Sequence, residues 1–135
     1  MFWLSHHRED EYNRTYVLGG VRVCARCLGT YPVLLAAMVG FFALRSPLQW
    51  EWDVPVGLGL TLPALVDWAM GRFRPAGGSN LVRTLTGVLL GVALGRSLYI
   101  HVQRPLPAVL LAQAALVTAV AVPVILATYR RPRPG

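Results

Sequence analysis

The sequence predicts an all-α integral membrane protein, a four-helix transmembrane bundle preceded by a short N-terminal cytosolic hairpin or loop. Three observations predict it. Of 135 residues, 55% are hydrophobic and only 14% charged, with a mean hydropathy of +0.50. A soluble domain carries about a quarter charged residues and needs polar faces to cover its core. Four apolar stretches follow a polar head, each near the ~20 residues that a helix needs to cross a ~30 Å hydrocarbon layer. The basic residues, all 13 of them Arg, alternate in density between the stretches.

The chain divides into an N-terminal segment, 1–27, a membrane domain, 28–129, and a basic tail, 130–135. Expected spans cover about 28–45, 54–71, 81–102 and 105–129. The first is uncharged from Leu28 to Leu44, the second is interrupted by Asp67, the third contains Arg96, and the fourth is the longest uncharged run. Arg8, Arg14, Arg22 and Arg26 precede span one, whereas only Arg45 separates spans one and two. Arg72, Arg74 and Arg83 lie between spans two and three, Arg104 between three and four, and Arg130, Arg131 and Arg133 in the tail. By the positive-inside rule both termini are expected in the cytoplasm, in a multi-pass protein of the inner membrane. Polar residues follow Met1-Phe2-Trp3-Leu4 at once, so no cleavable signal peptide is expected.

The net charge of +7 beside apolar runs favours anionic lipid headgroups over nucleic acid. Nucleic-acid binding is not expected, because the arginines form short clusters between spans and not a stripe on a polar domain. Trp3, Trp50, Trp52, Trp68, Tyr31, Tyr99 and Tyr129 mostly flank the spans, as an aromatic belt does.

Before span one, Tyr16 to Val23 alternates around Gly19-Gly20, a two-residue hairpin signal whose competitor is a flexible Gly-Gly linker. A hairpin would deliver Cys24 and Cys27 where a strand gives way to the first helix. The stretch Arg74 to Asn80 reads as a tight loop, with Ser79 or Asn80 capping helix three.

Cys24 and Cys27, in C-x-x-C spacing, together with His6 and His7 make a Cys2His2 inventory suited to zinc or another divalent transition metal. Adjacent side chains diverge, so one His is expected to ligate and the other to serve a substrate or to orient a ligand. A thiol redox pair and plain structural cysteines are the competing readings. Asp67 within a membrane helix needs a partner, and Arg83 across the hairpin of helices two and three is the expected one. That pair either locks the hairpin or, with Ser79 and Asn80, forms a polar pocket. In the pocket, Arg83 and Asn80 suit a phosphate or carboxylate, and Asp67 serves as base or metal ligand. Arg96, ~20 Å further along the helix, is expected to snorkel or to pair with Asp53 or Glu51. His101 is read as an interfacial residue. Pro32, Pro63 and Pro123 are read as kinks. Gly87, Gly91 and Gly95 form a small-residue stripe for close helix approach, including that of a second copy or a membrane partner.

Ser5-His6-His7, then Cys24 to Tyr31, then Pro63 to Asp67, then Ser79 to Gly87 together resemble a domain-of-unknown-function family of small prokaryotic membrane proteins. Its pattern runs S-H-H, C-x-R-C-x-G-x-Y, P-x-x-x-D and S-N-x-x-R-x-x-T-G, and the likeness extends from Ser5 to about Gly91. Trp68 and Pro32 depart from it, each standing where the family tends to have Gly. The resemblance implies an integral membrane protein with its marked polar positions at one end, and it brings no established reaction. It strengthens His6, His7, Cys24, Cys27, Asp67, Asn80 and Arg83 as site residues.

The expected function is therefore a metal-binding polar site at the cytoplasmic membrane face, acting on or binding an anionic lipid or phosphate ligand. The alternatives are a membrane thiol oxidoreductase using Cys24 and Cys27, and a non-catalytic subunit docking through the glycine stripe. Four short helices with one polar end offer a transporter no midplane site.

Overall fold

The computed structural model describes residues 9–74 and 77–130. A short 3-10 turn, Glu9–Arg14, leads into β1, Thr15–Leu18, and β2, Val21–Cys24. Four helices follow: α1, Ala25–Ala43; α2, Asp53–Phe73; α3, Asn80–Gln103; and α4, Ala108–Tyr129. All four are long and apolar enough to cross a membrane. At 1.5 Å per residue the shortest, of 19 residues, is ~28 Å long, close to the hydrocarbon thickness.

The Gly19-Gly20 signal is a hairpin. Thr15 pairs with Cys24 and Leu18 with Val21 in an antiparallel register, and both glycines have positive φ, +57° and +82°. That is the backbone twist a two-residue hairpin needs, and side chains resist it. Helix α1 begins directly after β2, so Cys24 stands at its N-cap and Cys27 in its first turn. Ser79 caps α3 by accepting from the Val82 N–H at 3.2 Å. Helix α4 starts at Ala108, after Pro105 and Pro107. Proline lacks an N–H and restricts the residue before it, so the helix forms only beyond the pair.

The tightest packing is α1 against α3. A Cβ on Gly87 would come within 2.6 Å of the Arg26 carbonyl oxygen, one on Gly91 within 2.6 Å of the Thr30 oxygen, and one on Gly95 within 2.8 Å of the Ala37 Cβ. Gly29 answers from α1, where a Cβ would stand 2.3 Å from the Thr84 oxygen. The glycine stripe is therefore covered by α1 of the same chain. The expectation that Gly87, Gly91 and Gly95 dock a second copy or a membrane partner is corrected on that ground, since helices this close leave no room for another.

A buried polar network ties α2, α3 and α4. Gln113 donates from Nε2 to Thr61 Oγ1 at 3.2 Å and to the Gly57 carbonyl at 3.4 Å, and its Oε1 accepts from Ser97 Oγ at 2.6 Å. Thr61 and Ser97 bond the carbonyls four residues back in their own helices, Gly57 and Ala93, so no hydroxyl proton is stranded when the glutamine is engaged elsewhere. At the far end from the hairpin, Arg96 forms a two-pronged ion pair with Asp53, Nε to Oδ1 at 2.8 Å and NH2 to Oδ2 at 3.0 Å. It also donates to Ser46 Oγ and the Pro47 carbonyl, and its guanidinium lies over Phe41 and Tyr99. The third span tolerates its arginine because each face of that group is used. His101 accepts from the Leu106 N–H at 3.0 Å and so fixes the turn into α4.

Candidate functional site

The hairpin folds onto the end of the bundle where α1 and α3 begin and α2 ends. Asn80 donates to the Thr15 carbonyl at 3.3 Å, and Arg14 donates to the Gly71 carbonyl at 2.8 Å. Thr84 Oγ1 lies 3.1 Å from the Ala25 carbonyl oxygen and 3.4 Å from the Tyr16 hydroxyl, which can donate to it, and this places Thr84 between β1, α1 and α3. Thr15 in turn donates to the Tyr12 carbonyl at 2.8 Å. These bonds join residues 57 to 68 positions apart, except the last.

Within this frame Arg83 is buried, 6% exposed. Its NH1 donates to Asn80 Oδ1 at 3.2 Å and its NH2 to the Gly77 carbonyl at 2.8 Å. Asn80 and Arg83 thus come together as the i, i+3 spacing allows. Asp67 does not join them directly. Its Oδ2 is bound by the Arg26 guanidinium from the first turn of α1, so the expected Asp67 to Arg83 pair is corrected to Asp67 to Arg26. The physical reason is the close approach of α1 to α3: it brings Arg26 to the α2 carboxylate, while the Gly77 and Asn80 oxygens hold Arg83 on its own loop. Arg83 remains within electrostatic reach of Asp67, Arg14, Arg26 and Cys24.

Cys24 is buried and Cys27 half-buried, both as free thiols, and they lie close enough together for a thiol hydrogen bond. Two adjacent sulfurs at the junction of a hairpin and a helix fit half of a tetrahedral S2N2 donor set. His6 and His7, which would complete it, fall outside the described residues. Among the described residues no group of three or more His, Cys, Asp and Glu side chains gathers.

Thr84, on the same side of α3 as Asn80 and Arg83, belongs to this end as its spacing implies, whereas no spacing singles out Arg14, Arg26 and Tyr16. The signal for Arg26 was present, since it stands inside the C-x-R-C motif. Arg14 and Tyr16 reach the site only because the hairpin folds back, which a linear motif does not display.

The comparison with known proteins found no matching curated protein and no matching solved structure. A model of a family described as predicted membrane protein, DUF2085, matches residues 7–98, which include the hairpin, α1, α2 and most of α3 with all the described residues of this polar end. The chain belongs to that family of membrane proteins.

Proposed function

We propose that this membrane protein binds a phosphate-bearing anion at its polar end, with Arg83 and Asn80 as the anchor, and that Cys24 and Cys27 with His6 or His7 hold zinc or another divalent transition metal beside it. One observation carries the reading. The buried Arg83 guanidinium is met by neutral oxygens, while Asp67, the carboxylate within its reach, is engaged by Arg26. A cation held by neutral acceptors at the end of a membrane helix keeps its full attraction for an anion, and a guanidinium matches the geometry of phosphate. The dithiol beside it would supply thiolate ligands, and a metal bound there would add positive charge facing the same anion. Asp67 would then serve to hold Arg26, or as a further ligand through its other oxygen. The arginine alternation supports an arrangement with this end in the cytoplasm.

The test is made on full-length protein purified without chelator. Elemental analysis is expected to give about one metal ion per chain, lost in Cys24→Ser/Cys27→Ser. Titration calorimetry with inorganic phosphate and with glycerol phosphate is expected to show binding that Arg83→Gln weakens by more than tenfold. A preference for glycerol phosphate would assign the site to a lipid headgroup, and equal binding would assign it to free phosphate. Metal-free protein removes the metal half of the proposal, and binding indifferent to Arg83 removes the anion half.

A second reading is supported by the adjacency of the two thiols. A thiol oxidoreductase would pass two electrons and two protons from Cys24 and Cys27 to a partner disulfide or quinone as its own disulfide forms. It requires metal-free protein whose thiols oxidise reversibly, so the same preparation separates the two readings.

A further inference from the structure

A groove of about 410 Å³ runs along α2 on the side facing α4. Leu62, Leu65, Ala69, Phe73 and, from α4, Val120 line it, and Arg74 stands at its end. Its shape follows from how α4 is held. Val109 and Gln113, in the first two turns, are the buried residues of that helix, and they meet α2 at Gly57. Beyond them the α4 residues are half-buried or exposed, and Val120 alone among them borders the groove.

We propose that this groove seats one acyl chain of an anionic phospholipid whose phosphate is bound by Arg74. Two independent features carry the assignment. From Leu62 to Arg74 is twelve residues, or ~18 Å of helix, which matches one leaflet, half of a ~30 Å hydrocarbon layer. A groove that deep, ending in a cation at headgroup level, has the dimensions of a single lipid chain. The charge is also available: Arg74 is exposed and its side chain makes no hydrogen bond or ion pair among the described residues, whereas Arg72, two residues earlier, lies over Trp68. A transmembrane helix would cover the apolar wall equally well but would leave that guanidinium unmatched.

The site is distinct from the one at Arg83, although the two are joined. The Gly77 N–H donates to the Arg74 carbonyl at 3.0 Å and the Gly77 carbonyl accepts from Arg83, so a lipid on Arg74 would stand beside the polar end. The inference does not rest on the reading of Arg83.

The test uses full-length protein extracted in mild detergent from bilayers of equal phosphatidylglycerol and phosphatidylcholine, with retained lipid counted by native mass spectrometry. The wild type is expected to keep about one phospholipid and to favour the glycerol lipid about fivefold, the effect of one basic residue at the surface. Arg74→Gln should equalise the two lipids, and Arg74→Lys should restore the preference. Ala69→Trp, which fills the groove, should remove both lipids. Arg45→Gln, an exposed arginine just after α1 at the opposite end of the bundle, should leave retention unchanged. The proposal is overturned by equal retention of both lipids in the wild type, by a preference that survives Arg74→Gln, by retention unaffected by Ala69→Trp in protein of unchanged helix content, or by a Val120→Cys variant that cross-links to a second copy.

Discussion

Arg26 on α1 binds the Asp67 carboxylate on α2 where both helices reach the hairpin, and the side chains are only 23% and 13% exposed. Two charges sheltered to that degree depend on each other, because losing one leaves the other desolvated and unpaired. Asp67→Asn is expected to destabilise the protein by about 2 to 3 kcal/mol, less than a fully buried pair would cost because this one borders the headgroups. Arg26→Met combined with Asp67→Leu should recover most of that loss. Thermal unfolding in detergent measures both. A double variant as unstable as the single one would mean that Arg26 or Asp67 does more than neutralise its partner.

Gly29 separates α1 from α3, and its substitution tests whether the glycines serve this chain or an external partner. Gly29→Ala would put a methyl 2.3 Å from the Thr84 carbonyl oxygen, a backbone atom that moves only with its helix. The expected cost is about 2 kcal/mol, as for overpacking in a tight core. Gly40→Ala and Gly59→Ala, with nothing within 4 Å, should be neutral or slightly stabilising. Gly91→Leu should unfold the monomer and not merely dissociate an assembly. A folded monomer of Gly91→Leu would restore the glycine stripe as an external surface.

These cases show what the sequence made legible. Hydropathy and arginine density located the helices, because length and the absence of charge within a run are local properties. The Gly19-Gly20 pair located the hairpin for the same reason, and membrane level narrowed the acids near Arg96 to Asp53 and Glu51, between which the structure selects Asp53. The Asp67 partner was not legible, since Arg26 and Arg83 both lie at the right depth and only the packing of α1 on α3 decides between them. The Gly87, Gly91 and Gly95 face was visible as a place of close approach, but spacing alone does not name the helix that approaches.

Arg96 engages Asp53 with two nitrogens while also donating to Ser46 and Pro47. A planar fork can do this and an ammonium cannot. Arg96→Lys should therefore cost about 1 to 2 kcal/mol although the charge is kept, and should loosen the connection between α1 and α2 that Ser46 and Pro47 form. Limited proteolysis between Leu44 and Trp52 reports that loosening. Equal resistance in the lysine variant would show that charge alone sets this end.

Gln113 joins α4 to the rest of the bundle, and its replacement separates polar glue from apolar packing. In Gln113→Leu the Thr61 and Ser97 hydroxyls keep their bonds to Gly57 and Ala93, so no buried donor is orphaned. The loss is then confined to the interhelical bonds, about 1 kcal/mol in a membrane, where measured values are small because the separated helices also find partners. Ser97→Ala is the harsher change for its size, because Gln113 Oε1 loses its donor at a site shielded from water. The rest of α4 packs through half-buried residues, Leu116, Val120 and Val124 among them. A disulfide trap between Gly57→Cys and Val109→Cys, formed efficiently in the wild-type background and slowly in Gln113→Leu, would show that this one side chain governs how long α4 stays docked; equal trapping in both would assign the docking to Val109 and its apolar neighbours.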